Sequence, residues 1–165
     1  MALNTWLHMV SESEVAALKE NPARISRMDE PDNECCSTYY LCTINYFLTG
    51  DAYPSGQRVI PLTCFLSGLE TVDCDALEIG CFHLLPADLT AAIVAALEAI
   101  DLGELRAAVA AADADDLMDA DVDDFEILID GAEDPGQTLV ADVEALLAFY
   151  RAASDRGLGV VIYTS

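Results

Sequence analysis

The stretch Gln137–Thr164, QTLVADVEALLAFYRAASDRGLGVVIYT, decides how the chain is read. Leu139, Val143, Leu146, Leu147, Tyr150 and Ala153 recur in steps of one to four, which draws one apolar stripe along a helix. Thr138 is the predicted N-cap, because its hydroxyl can accept from the free amides of a first turn. Asp142 and Glu144 lie towards the positive end of that helix, Arg151 and Arg156 towards the negative end. Gly157 supplies a left-handed stop. Leu158–Thr164 is then continuously apolar and β-branched, the pattern of a strand covered on both faces.

Working outward, Leu3–Val10 alternates as a strand with apolar residues on both faces, which places it inside a sheet. Ser11 and Glu14 form a capping box for a short helix to about Lys19, and Asn21-Pro22 ends it. Met28–Glu34 is polar, holds Pro31 and reads as a loop. Cys35–Leu48 is apolar and aromatic; Leu41, Ile44 and Leu48 favour helix over strand. Thr49-Gly50-Asp51 and Pro54-Ser55-Gly56 mark a turn-rich loop. Val59–Leu69 is apolar again, Glu70–Gly80 reads as a connector and Cys81–Leu85 as a short strand. Pro86 opens a helix with Leu89, Ile93, Leu97 and Ile100 inward. After Asp101-Leu102-Gly103, Glu104–Ala112 adds a second helix with Leu105 and Val109 inward. In the acidic segment, Phe125, Ile127 and Ile129 alternate as in a strand. The predicted fold is α+β: a single compact domain over residues 1–165, with helices packed on a mixed or antiparallel sheet.

Charge bounds the function. Thirty acids face seven bases in 165 residues, for a formal net charge of -23. Such a chain repels nucleic acid and anionic membranes and attracts cationic partners. A basic protein, a cationic ligand or a salt-rich cytoplasm would each relieve the self-repulsion. The 44 residues Ala107–Tyr150 hold 13 acids and no Lys or Arg. Cys35, Cys36, Cys42, Cys64, Cys74 and Cys81 sit mostly in apolar surroundings, as free core thiols do. With no secretory signal and no apolar run of membrane-spanning length, the expected location is the cytoplasm.

Several short motifs together carry a resemblance. Phe47-Leu48-Thr49-Gly50 follows an apolar helix; Gly80 leads through Cys81–Leu85 into Pro86 and a helix ending Leu97-Glu98-Ala99-Ile100. The chain closes on Asp142-Val143-Glu144, Leu146, Tyr150-Arg151 and Gly157 before a terminal strand. In order and length this layout resembles the YfbM-like family of small bacterial proteins of unknown function. The resemblance implies a compact cytoplasmic α+β domain and supplies no activity. Where family members often carry Trp and His ahead of the Leu-Thr-Gly turn, this chain has Leu41 and Asn45. A Tyr-Pro pair common after the penultimate strand is replaced here by Ile129-Asp130 or lost.

The remaining signals are weighed one by one. Asp119-x-Asp121-x-Asp123, with Asp130 in the twelfth place, has the spacing of a calcium loop. It lacks the turn glycine, since Asp124 stands there, and it lacks the bidentate glutamate. Cys74, Cys81 and His83 make at most half a zinc site. Cys35-Cys36 has no flanking base to activate a thiol. His8 and His83 fall in apolar strands, where structural histidines are the rule. No phosphate-binding glycine loop is present. No metal and no cofactor are therefore expected.

Two readings follow. The first is a non-enzymatic interaction module, with Asp119, Asp121, Asp123 and Asp124 meeting a basic protein; neutralising a cationic toxin, as immunity proteins do, is its concrete form. The second is a small-molecule binder or enzyme with a pocket near residues 39–51, lined by Tyr40, Asn45, Tyr46 and Thr49 and including His83.

Overall fold

The terminal strand lies where its hydrophobicity demands. In a computed structural model, which describes residues 3–28, 35–53 and 61–165, β5 (Gly159–Thr164) is the central strand of five. It is flanked by β1 (Thr5–Val10) and β4 (Cys81–Leu85). Beyond these lie β2 (Cys35–Thr38) on one edge and β3 (Glu70–Asp73) on the other. The order is β2-β1-β5-β4-β3, and every pairing is antiparallel. Gly159–Tyr163 are all buried, as a strand covered on both faces requires. Gly159 has a further reason to lack a side chain: a Cβ there would meet the Leu85 carbonyl oxygen at 2.7 Å.

One face of the sheet presents Leu7, Leu85, Val160 and Ile162 to the larger core. The helices α4 (Ala87–Glu98), α5 (Leu102–Ala111) and α8 (Pro135–Asp155) contribute to that core. Shorter helices complete it: α2 (Leu41–Thr49), α3 (Pro61–Cys64), α6 (Ala114–Asp119) and α7 (Phe125–Gly131). Tyr150 of α8 is fully buried and donates its hydroxyl to the Phe65 carbonyl, so the largest core side chain leaves no orphan polar atom. The opposite face buries Val10, Phe82, Leu84, Val161 and Tyr163 beneath α1 (Glu12–Glu20) and the 3₁₀ turn Pro22–Arg27, which add Leu18 and Ile25. Ser11 and Glu14 form the expected capping box of α1.

Several elements differ from the sequence reading. Residues 125–130 form helix, not strand. The alternation of Phe125, Ile127 and Ile129 concealed a step of three, Val122, Phe125 and Leu128, which are the buried residues here. Helix α8 begins at Pro135, and Asp134, not Thr138, caps it by accepting from the Gln137 amide at 2.9 Å. Asp-Pro is the stronger start, because proline at the first helical position lacks only an amide that would be orphaned anyway. Cys35–Leu48 is not one helix: its first four residues pair with β1, and α2 follows. Part of the Glu70–Gly80 connector is β3, which pairs with β4. The strand before the last is β4, which ends at Leu85 and is followed by Pro86, so Ile129-Asp130 on α7 does not hold the place after it. The expected loops at Met28–Glu34 and Pro54-Ser55-Gly56 fall almost wholly outside the described residues.

Candidate functional site

The acidic segment folds into two short helices joined at a tight corner. Asp113 caps α6 by accepting from the amides of Asp115 and Asp116. Asp121 makes the corner with φ of 60°, a left-handed conformation that Asp tolerates better than most residues. Leu117, Val122, Phe125 and Leu128 hold the pair onto the core. The side chains that remain outward are those of Asp115, Asp116, Asp119, Asp121, Asp123, Glu126 and Asp130, all on exposed residues and with no side-chain hydrogen bond or ion pair among the described residues. Two large apolar side chains are exposed on the same pair of helices, Met118 at 54% and Ile127 at 39%.

Asp124 does something else. Its carboxylate accepts from the Cys42 amide at 2.7 Å, the Thr43 amide at 2.8 Å and the Thr43 hydroxyl at 2.6 Å. It therefore caps α2 from a distance, satisfying two of the amides that a helix start leaves without partners. The nominal N-cap, Tyr40, makes no side-chain cap. Asp142 of α8 acts nearby: it accepts from the Thr38 hydroxyl at 2.6 Å, and that hydroxyl oxygen in turn accepts from the Tyr40 amide at 3.0 Å. The two carboxylates thus clamp the β2–α2 corner onto α7 and α8. Burial pushes both carboxyls above the ordinary aspartate value, and the hydrogen bonds they accept oppose it. Tyr40 is pushed up by burial and by the charges of Asp142 and Asp124. Burial, then Asp142, lifts the Cys36 thiol to about 11. Burial likewise lifts Cys42 to about 11. Neither thiol is a nucleophile at neutral pH.

The residues of the second reading are engaged in packing and closure. Asn45 is buried and donates to the Ala52 carbonyl at 3.3 Å. The Thr49 hydroxyl donates to the Asn45 carbonyl at 2.7 Å and so closes the end of α2, where Gly50 turns left-handed at φ 82°. Tyr46 packs edge-on to Phe47, and Phe47 against Phe125. His83 lies on β4, three strand positions from β2, roughly 14 Å across the sheet. It hydrogen-bonds the Thr71 hydroxyl at 3.1 Å, and burial lowers its pKa, which keeps it neutral at pH 7. His8 is buried, bonds the Tyr163 hydroxyl at 3.2 Å and stacks on that ring. Two shallow clefts among the described residues lie elsewhere, one beside α1 and the 3₁₀ turn and one between α4 and α8. Among the described residues no group of three or more His, Cys, Asp or Glu is placed to hold a metal ion.

Asp142 is the site residue that sequence reasoning passed over. It carried a signal: Leu139, Asp142, Leu146 and Phe149 run in steps of three and four, so an acid stands in the inward stripe. Asp124 carried none that separates it from Asp123.

The arrangement of sheet, helices and termini matches known proteins along its whole length. The chain belongs to the family described as a domain of unknown function, DUF1877, which it matches over residues 1–163. Among solved structures it is similar to YfbM from Escherichia coli, itself a protein of unknown function, with a TM-score of 0.71. That match covers 98% of this chain and 99% of YfbM at 17% identity, a likeness that speaks for the fold alone. No curated protein matches the chain. No helix of this DUF1877 member, among the described residues, is long and apolar enough to cross a membrane.

Proposed function

We propose that the chain is a non-catalytic interaction module whose acidic α6–α7 face docks on a basic protein, in the manner of an immunity protein neutralising a cationic toxin. The observation that supports this is the surface between residues 115 and 127. Six exposed carboxylates share this stretch with exposed Met118 and Ile127, which gives charge for steering and apolar area for contact. The contact set is Asp119, Asp121 and Asp123. Asp124 leaves it, since its lone pairs hold α2.

The test is capture of a basic protein on the immobilised chain at low salt, with elution in a salt gradient. The triple variant Asp119→Asn, Asp121→Asn, Asp123→Asn is the comparison. A basic partner retained by the native chain and lost by the variant supports the reading. Equal retention by both removes it. The second reading, a small-molecule or catalytic site around residues 39–51 and His83, has less support. Asn45, Thr49 and His83 are engaged in internal hydrogen bonds, and Asp124 accepts three.

A further inference from the structure

With thirty acids and seven bases, an unpaired base needs an explanation more than an unpaired acid does. Lys19 pairs with Glu70 at 2.7 Å, Arg151 with Glu98 at 2.6 Å, and Arg106 with Asp134. Arg156 lies against Met9 and has further contacts, and Arg58 lies outside the described residues. Arg24 and Arg27 alone have no side-chain ion pair or hydrogen bond among the described residues, and they stand together. Both are exposed on the 3₁₀ turn Pro22–Arg27. With three residues per turn, positions i and i+3 eclipse, so the two guanidinium groups rise from one side. Like charges so placed repel unless an anion lies between them.

The two arginines line a cleft of about 170 Å³ whose other walls are Ala17, Leu18, Met28 and Glu14. One Glu14 carboxylate oxygen accepts from the Ser11 amide at 2.6 Å in the capping box, which fixes that side chain towards the start of α1. The other walls among the described residues, Ala17, Leu18 and Met28, are apolar. We infer that this cleft is an anion site for a phosphomonoester with a small apolar body. Paired guanidinium forks match phosphate oxygens, and the apolar group rests on Leu18 and Met28. The volume is below the roughly 300 Å³ at which enclosing small-molecule sites begin, so the site takes a headgroup and a few carbons, not a nucleotide. It lies on the α1 face of the sheet, opposite the acidic helices, and stands independently of the interaction reading.

Phenyl phosphate is the probe, followed by amide chemical shifts. The native chain is expected to show saturable shifts at Ala17, Leu18, Ile25 and Met28, with Kd on the order of 1 mM or tighter. Arg24→Gln with Arg27→Gln is expected to weaken binding at least about tenfold. Both side chains are exposed, so that variant keeps the fold, and its spectrum verifies this. Arg106→Gln with Arg151→Gln removes the same charge elsewhere and is expected to bind as the native chain does. Inorganic phosphate binds more weakly if the apolar walls contribute, and benzoate more weakly if a dianion is required. No saturable binding, or equal binding by the Arg24/Arg27 variant, overturns the site. Benzoate equal to phenyl phosphate overturns the phosphate assignment, and inorganic phosphate equal to it overturns the apolar contact.

Discussion

Asp123 and Asp124 are neighbours in sequence with opposite roles. Asp123 is exposed, with no side-chain hydrogen bond or ion pair among the described residues, while Asp124 reaches across 82 residues of chain to cap α2. Asp124→Ala leaves two helix amides without acceptors and is expected to cost about 1–3 kcal/mol. Asp119→Asn and Asp123→Asn are expected to stay within about 0.5 kcal/mol. Thermal or urea unfolding of the single variants checks both. The corner residue Asp121 is a third case: Asp121→Ala is expected to cost about 1 kcal/mol and Asp121→Gly to be neutral or stabilising, because only glycine takes φ of 60° freely. The pH dependence follows from Asp124 and Asp142. Burial raises both folded pKa values above the ordinary aspartate value, so the folded state holds protons the unfolded state has released. Their contribution is therefore fully present below the ordinary aspartate pKa and is lost as pH rises through the raised values. These two groups are expected to add stability as pH falls through their raised values towards the ordinary aspartate pKa, and that gain is expected to shrink in Asp142→Asn. Unfolding curves at stepped pH read both.

At the scale of elements, the sequence was most legible where one pattern had one solution. The apolar run Leu158–Thr164 became the central strand, and the stripe from Leu139 to Ala153 became the buried face of α8. Legibility failed where two periods overlapped. Residues 122–130 satisfy both alternation and a step of three, and packing of Phe125 and Leu128 onto the core decides for helix. It failed also for β3, whose four residues are exposed or half-buried and owe their strand to pairing with β4 alone. Close backbone approach is likewise invisible in a sequence. Gly136 sits against α5, where a Cβ would lie 2.6 Å from the Arg106 carbonyl oxygen. Backbone cannot yield as a flexible side chain can. Gly136→Ala is expected to cost about 1–3 kcal/mol by forcing α5 from α8, despite the better helix propensity of alanine. Denaturant unfolding would show it; a stabilised variant would mean that the helices separate freely.

For the whole molecule the question is what a net charge of -23 is for. The fold takes part of the acid content for itself: Asp101, Asp113 and Asp134 cap helices, and Asp124 and Asp142 clamp the β2–α2 corner. The candidate contact residues Asp119, Asp121 and Asp123 were legible as an acidic run. Their freedom from internal duties was not, because that depends on contacts distant in sequence. The α6–α7 face retains a dense carboxylate surface with Met118 and Ile127 exposed in it. If the charge served solvation alone, its position would be immaterial. The decisive measurement compares protein captured by the native chain, by the Asp119/Asp121/Asp123→Asn variant, and by a charge-matched variant carrying Asp75→Asn, Glu78→Gln and Asp155→Asn. The account predicts a basic partner that elutes at intermediate salt from the native and charge-matched chains and is absent from the α6–α7 variant. Loss of that partner from both variants alike, or retention of nothing by the native chain, would contradict it.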